Sequence, residues 1–311
     1  MSLKTNNTNL DALVEALATH IPADRIHRDE PIADYTTFKI GGPADVMVLP
    51  HTLEELSAVL TVVHSHIVPC TVLGGGSNVL VRDGGIRGLV IVLRDMLERL
   101  EVDGTLLRAS AGHMMKDVAE YAYEHGLSGL EFACGIPGSL GGAIFMNAGA
   151  YGGEMSHVVT RVRAVTPEGQ IKVYEGEALN FAYRHSIFHD NGEIVGEIEM
   201  ALEPADQADI RAKMDELTEK RESKQPLEYA SAGSTFKRPV GYYAGTLIEQ
   251  TGLKGLSVGD AEVSQKHAGF VINKGNANFK DVHGVISEVQ RRVKEEHGVD
   301  LETEVRMLGE D

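Results

Sequence analysis

Two glycine-dense stretches and three isolated polar side chains carry whatever chemistry this chain does. Gly74-Gly75-Gly76-Ser77-Asn78 follows a short apolar run, Thr71–Leu73. Glycine admits positive φ and lets backbone N–H groups converge on an anion, as phosphate-binding nests do. The stretch matches neither G-x-G-x-x-G nor G-x-x-x-x-G-K-[ST], so alone it reads as a tight surface turn or as a nest. Gly135-Ile136-Pro137-Gly138-Ser139-Leu140-Gly141-Gly142 and Asn147-Ala148-Gly149-Ala150-Tyr151-Gly152-Gly153 form the second cluster. It is a string of irregular turns, or a main chain that approaches a large flat ligand and its diphosphate where Cβ atoms would block the way. Arg184, in Tyr183-Arg184-His185-Ser186, is by default a surface ion-pair partner. Ser234, in Ala232-Gly233-Ser234-Thr235, is a turn or cap hydroxyl. Glu304 lies on the polar face of the last predicted strand. No G-x-S-x-G context supports a hydrolase, and no His set stands at metal-ligand spacing, so no metal is expected.

The elements that must position these residues follow from periodicity and caps. Helices are expected over Leu10–His20, after Thr52, over Met114–His125 with Gly126 behind it, over Ala205–Gln225 up to Pro226, near Gly245–Gln250, and over Asp281–His297 ending at Gly298. Thr52 and Glu55 have capping-box spacing, and Leu53, Leu56, Val59, Leu60 and Val63 share a helical face. The turn Thr166–Gly169 joins RVRAV to QIKVY as a hairpin. Ser231–Thr235 is expected as a loop and HAGFVIN as a strand. A final strand, VDLETEVRM, sets Val299, Leu301, Val305 and Met307 against Asp300, Glu302, Glu304 and Arg306. Strands and helices interleave without regular βαβ spacing, which favours an α+β class.

Composition sets the bounds. At 311 residues the chain exceeds what one core comfortably supports. Its 34 glycines are well above the usual share of roughly 7%. With 29 basic and 46 acidic residues the formal charge is −17, which argues against duplex nucleic acid and anionic membrane as partners. Leu89–Leu93 is the longest aliphatic run, far short of the roughly 20 residues that span a bilayer. MSLKTNNTNL has no apolar core behind its lysine, so no signal peptide is expected. Two cysteines, Cys70 and Cys134, without C-x-x-C, argue against a disulfide framework and a zinc site. A cytoplasmic location is the expectation.

In order along the chain, TTFKIGGPAD, LGGGSNVLV, LEFACGIPGSLGGAIFMNAGAYGGE, YRHSIF, SAGSTFKRP, HAGFVIN and LETEVRMLG resemble the UDP-N-acetylenolpyruvoylglucosamine reductases, the MurB family. The likeness runs from about Tyr35 to Leu308. It implies an α+β protein: a two-lobed FAD-binding fold of the vanillyl-alcohol-oxidase (PCMH) type over residues 1–205, with lobes of about 1–80 and 81–205. A C-terminal α+β substrate-binding domain would follow over 206–311, its last strand carrying Glu304 back to the active site.

The resemblance also implies a function. NADPH would reduce non-covalently bound FAD, and flavin N5 would pass hydride to C3 of the enolpyruvyl ether of UDP-N-acetylglucosamine, giving UDP-N-acetylmuramate for bacterial peptidoglycan. Arg184 would stabilise the enolate and Ser234 would protonate C2. Glu304, the third catalytic position, would polarise the carboxylate if protonated, or orient Arg184 or a water. Thr37, Phe38, Gly74, Gly75, Gly76, Ser77, Asn78, Gly135, Pro137, Gly138, Ser139, Asn147, Ala148 and Gly149 fall in segments matching the flavin site. Backbone donors there would hold the diphosphate without a basic protein. Tyr183, Lys224, Lys237, Arg238 and Lys266 are substrate candidates, the four cations for the UDP diphosphate. Some members carry Asn where this chain has Arg238. The short passage from Phe188 through HDNGEIVGEIEM resembles the subclass without the extra tyrosine-bearing loop. A monomer is favoured. Two rival readings are an FAD-dependent oxidase on the same fold and a flavin-less nucleotide-sugar binding module.

Overall fold

The computed structural model describes residues 7–311, with side chains from Asn9 onward. The signal-peptide expectation rests partly on residues 1–6, outside the described residues. Contacts divide the chain into two units that interleave in sequence. The first comprises the described residues through Asp29, with Asp45–Gly75 and Gly88–Glu219; the second comprises Glu30–Ala44, Gly76–Arg87 and Lys220–Asp311. Segments 30–44 and 76–87, expected with the N-terminal domain, therefore group with the C-terminal part.

The first unit is built on two sheets. A four-stranded sheet is ordered Ile26–Pro31, Pro43–Val48, Ile86–Val92, Cys70–Leu73, the last pair parallel. A five-stranded sheet is ordered Ile171–Glu175, Val159–Val165, Ile194–Ala201, Leu106–Ser110, Leu100–Asp103, with every pairing antiparallel. The predicted hairpin closes its edge, with Val165 opposite Ile171 and Gly169 at φ 87°. One apolar core gathers Leu13, Leu17, Leu56, Leu60, Leu89 and Ile91; the other gathers Leu107, Leu140, Ile144, Val162, Ile198 and Met200. The first core runs through Met96 and also takes Val165 and Ile194 from later in the chain.

Helix ends follow the predicted signals within a few residues. The first runs Asn7–Leu17. Leu53–His66 starts behind Thr52, whose hydroxyl accepts from the Glu55 N–H, but the box is only half made. The Glu55 carboxylate instead takes the His51 N–H and both arms of Arg25. Met115–Glu124 ends before Gly126, at φ 65°. The charged helix is Gln207–Lys224. Ile210, Met214 and Leu217 lie in the second core of the first unit, so its apolar spacing seats it there.

Two sequence expectations give way in the second unit. Ala230–Ser234 is a strand, not a loop, at one edge of the sheet ordered with Phe270–Asn273, Ala261–Val263 and Ser257–Val258. Its register shifts between Ser231 and Ser234, and Gly233 at φ 73° supplies the bulge. The last strand is shorter than predicted because its chain changes partners. Lys237 N–H donates to Glu302 O and Glu304 N–H to Thr235 O; then Arg306 N–H donates to Asn78 O, and Arg306–Leu308 pairs parallel with Val79–Val81. No single ladder covers residues 299–307, although Leu301 and Val305 are buried in the predicted alternation. The helix Phe279–His297 has a complete Asn278/Asp281 capping box and ends at Gly298, φ 70°. It buries Val282, Val285, Ile286, Val289 and Val293, as its spacing predicts.

Candidate functional site

In the first unit the two glycine clusters meet. The Ser139 hydroxyl accepts from the Gly75 N–H at 3.1 Å and caps the helix Leu140–Met146. A Cβ on Gly74 would stand 2.4 Å from Ser139 Oγ, and one on Gly75 would stand 2.7 Å from both Gly138 Cα and Ser139 N. The glycines at 74 and 75 are therefore required first by chain-to-chain approach. What results is an uncharged stretch of close-packed chain, bare of side chains at Gly74, Gly75 and Gly138, with the Ser139 hydroxyl beside it. That suits a flat group carrying a diphosphate, so the residues present fit FAD.

The second cluster is more regular than its composition implied. Leu140–Met146 is a helix despite Gly141 and Gly142, with Leu140, Ala143 and Ile144 in the core. A Cβ at Gly141 would lie 2.8 Å from that of Ala111, so glycine buys close helix packing there. Asn147 ends this helix at φ 43° and its side chain is buried. Its amide donates to Ala182 O and Glu154 Oε1, both at 3.1 Å, and its carbonyl accepts from Ser156 N–H at 3.0 Å. Every amide hydrogen of Asn147 is used internally, so this side chain is a bracket. Ala148 N–H donates to Ala143 O, and Gly149–Ala150 pairs antiparallel with Gly153–Glu154.

That bracket holds Arg184. Ala182 and His185 exchange both backbone hydrogen bonds at 3.1 Å, leaving Tyr183 and Arg184 at the tip of a two-residue turn. Arg184 sits at φ 55°, left-handed backbone that a non-glycine residue adopts at a cost of about 1–3 kcal/mol. Its guanidinium carbon lies 5.2 Å from the centre of the exposed Tyr183 ring. Buried Ser186 pins the far side of the turn by donating to Phe145 O at 2.8 Å.

In the second unit, Ser234 and Glu304 come together. The Glu304 N–H donates to the carbonyl of Thr235, the residue after Ser234, at 2.8 Å. Asn78 donates its side-chain N–H to Glu304 O at 3.2 Å, and its own carbonyl takes Arg306 N–H at 3.0 Å. Ser234 is exposed, whereas Glu304 is half-buried rather than on a fully solvated face. Gly76, at φ 62°, would put a Cβ 1.9 Å from Tyr35 O. Thr37 N–H donates to Gly76 O, and its hydroxyl donates to Ser231 O at 2.7 Å. Phe38 is a core side chain whose carbonyl accepts from Asn273, so only its backbone remains for a ligand.

The proposed diphosphate cations are scattered in their attachments. Lys237 pairs with Glu302 at 3.2 Å, and Arg238 lies 4.0 Å from the centre of the Tyr243 ring. Lys266 donates to Glu222 O at 2.6 Å, in the last turn of the helix that ends at Lys224. Lys224 is exposed. Sequence reading missed Glu154, whose only signal was its place at the end of NAGAYGGE. Among the described residues no group of three or more His, Cys, Asp or Glu could hold a metal, and no helix is long and apolar enough to cross a membrane.

Comparisons with known proteins bear on both units. Residues 44–174 match an FAD binding domain, and residues 225–308 match the C-terminal domain of UDP-N-acetylenolpyruvoylglucosamine reductase. A UDP-N-acetylenolpyruvoylglucosamine reductase of Clostridium perfringens is 51% identical over 91% of this chain and 93% of its own. One from Syntrophomonas wolfei is 48% identical over 94% and 97%. The crystal structure of the Thermus caldophilus enzyme superposes with a TM-score of 0.80 at 38% identity, covering 92% of this chain and 99% of that one. A 4-ethylphenol oxidase of Gulosibacter chungangensis matches with a TM-score of 0.51 at 14% identity, over 97% of this chain and 66% of that one, a likeness of fold alone. The α+β class with an FAD-binding fold of the PCMH type is thereby established.

Proposed function

The chain belongs to the UDP-N-acetylenolpyruvoylglucosamine reductase family, and from that premise we propose how its residues divide the work. The family's reaction, reduction of a carbon–carbon double bond in a nucleotide-sugar enolpyruvyl ether with FAD as cofactor, is this chain's. The finer reading is that NADPH is the electron donor and UDP-N-acetylmuramate the product, in cytoplasmic peptidoglycan synthesis by a monomer. Bound FAD supplies two-electron chemistry between NADPH and C3 of the enolpyruvyl group. In the first unit the residues around Gly74, Gly75 and Ser139, and in the second Gly76–Asn78 and Thr37, are the ones that would hold it.

As C3 gains hydride, negative charge spreads from C2 onto the substrate carboxylate. Arg184 meets that charge with a cation and several N–H donors fixed in advance, so little reorganisation is needed as the charge forms. Ser234 gives its hydroxyl proton to C2; a carbanion-like carbon is basic enough to take it. Glu304 assists at the substrate carboxylate. Tyr183 contacts substrate beside Arg184, and Lys224, Lys237, Arg238 and Lys266 neutralise the UDP diphosphate.

The observation that carries this reading is the Glu304-to-Thr235 backbone bond. It sets two residues that are 70 positions apart, and that the resemblance independently names, on adjoining backbone. The test is an anaerobic visible spectrum of the purified protein, with NADPH added and then the enolpyruvyl nucleotide. The flavin band should bleach and then recover on substrate. A bleached band that ignores substrate and recovers only in air would replace this reading with an oxidase.

A further inference from the structure

We propose that Glu154 is a positioning residue that aims the Arg184 guanidinium, acting through the Asn147 bracket and through its own charge. The proposal rests on the role given to Arg184 above and extends it to a residue that touches neither substrate nor cofactor. Asn147 has two amide hydrogens; one goes to Glu154 Oε1 and the other to Ala182 O, in the stem of the Arg184 turn. One side chain thus fixes the distance between the carboxylate and the turn. Ser156 adds its hydroxyl to the same carboxylate oxygen, while its N–H binds the Asn147 carbonyl, so the group is locked from two sides.

The glycines around Glu154 serve the same end. A Cβ on Gly149 would lie 2.8 Å from Glu154 Cβ, and one on Gly153 would lie 2.6 Å from the Phe132 ring. Only a chain bare at both positions lets the strand bearing Glu154 press this close. Part of the glycine density that reads as a ligand cradle therefore places a carboxylate. Electrostatics agrees: the Ser156 hydroxyl, then the Asn147 amide, the His157 ring and the Arg184 cation hold the Glu154 carboxyl below the usual carboxylate range against the opposing effect of burial. Glu154 is ionised at neutral pH, and Arg184 feels its charge. A guanidinium at the tip of a strained turn has several rotamers to choose from. A carboxylate held by the same bracket that holds the turn biases that choice before substrate arrives.

The test is a double-mutant cycle read in single-turnover half-reactions: wild type, Glu154→Gln, Arg184→Ala and the double variant. Glutamine keeps an oxygen acceptor for Asn147 and Ser156, removes the charge and turns the second oxygen into an NH2 donor. Glu154→Gln should slow flavin reoxidation by the enolpyruvyl nucleotide about tenfold, leave reduction by NADPH unchanged, and add nothing in the Arg184→Ala background. Hydrogen exchange across residues 180–187 should stay at the wild-type rate in Glu154→Gln, since the turn's backbone bonds remain. Equal slowing in both backgrounds, or none in the wild-type background, overturns the proposal. Arg184→Ala with undiminished reoxidation overturns the role of Arg184 itself, and this proposal with it. Should Glu154→Gln not fold, Ser156→Ala must show the same background-dependent slowing, and its absence overturns the proposal equally.

Discussion

Arg184 and the Ser234–Glu304 pair are held in opposite ways. Arg184, in the first unit, sits in a strained turn clamped by buried side chains, Asn147 on Ala182 and Ser186 on Phe145. Ser234 and Glu304, in the second unit, are set mostly by main chain: strand pairing of Ser234 with Phe270 and the Glu304-to-Thr235 bond, with the Asn78 amide added on the Glu304 carbonyl. A turn that costs conformational energy persists only where its surroundings over-determine it. A sheet edge needs no such help. The first arrangement fixes a long flexible cation; the second needs only to present a short hydroxyl.

The comparison can be broken at several points. The largest effect is expected at Ser234→Ala. Reoxidation by substrate should slow about 10²- to 10⁴-fold, the range for a lost general acid, with no change in thermal midpoint because the exposed side chain holds nothing up. A lowered midpoint would show that side chains matter there too. Asn147→Ala should do the reverse and destabilise the fold by about 3 kcal/mol, since the Ala182 carbonyl, Glu154 carboxylate and Ser156 N–H all lose a partner. Denaturant titration checks it, and a loss under about 1 kcal/mol would refute the bracket.

Arg184→Gly sharpens the contrast by relieving the left-handed backbone. It should raise stability by about 1 kcal/mol while abolishing most substrate reoxidation; lower stability would mean the turn is not strained. The smallest effect concerns pH. Burial pushes the His267 ring below its usual range, and its Nδ1 accepts from the Gly269 N–H, which requires a neutral ring. A depressed histidine contributes stability that is present above its unfolded value of about 6.5 and is lost as pH falls below it. Stability should therefore decline from about pH 6.5 downward by less than about 1.4 kcal/mol per pH unit, and less steeply in His267→Gln. Identical slopes would remove His267 from the account.

The sequence showed what local rules govern. Thr52, Gly126 and Gly298 mark helix ends because caps and positive φ act within a few residues. The apolar spacing of residues 282–293 reports one buried face directly. Two features were hidden because they depend on distant partners. The segment 299–307 reads as one strand, yet the chain from there to Leu308 pairs first with residues 235–237 and then with 78–82. The interleaving of 30–44 and 76–87 with the C-terminal unit leaves no trace in composition. The candidate site is read from motifs, and motifs do not give the packing reasons for its residues. Several glycines in it answer to Ser139, Tyr35, Glu154 and Phe132, contacts that no spacing reveals.

The central claim, that Arg184 serves the substrate half-reaction from a preset position, has a direct test. Arg184→Ala, reduced anaerobically and mixed with the enolpyruvyl nucleotide in a stopped-flow experiment, should recover its flavin band about 10²- to 10³-fold more slowly than wild type, while its reduction by NADPH keeps the wild-type rate. Recovery at the wild-type rate, or a defect confined to reduction by NADPH, would contradict it.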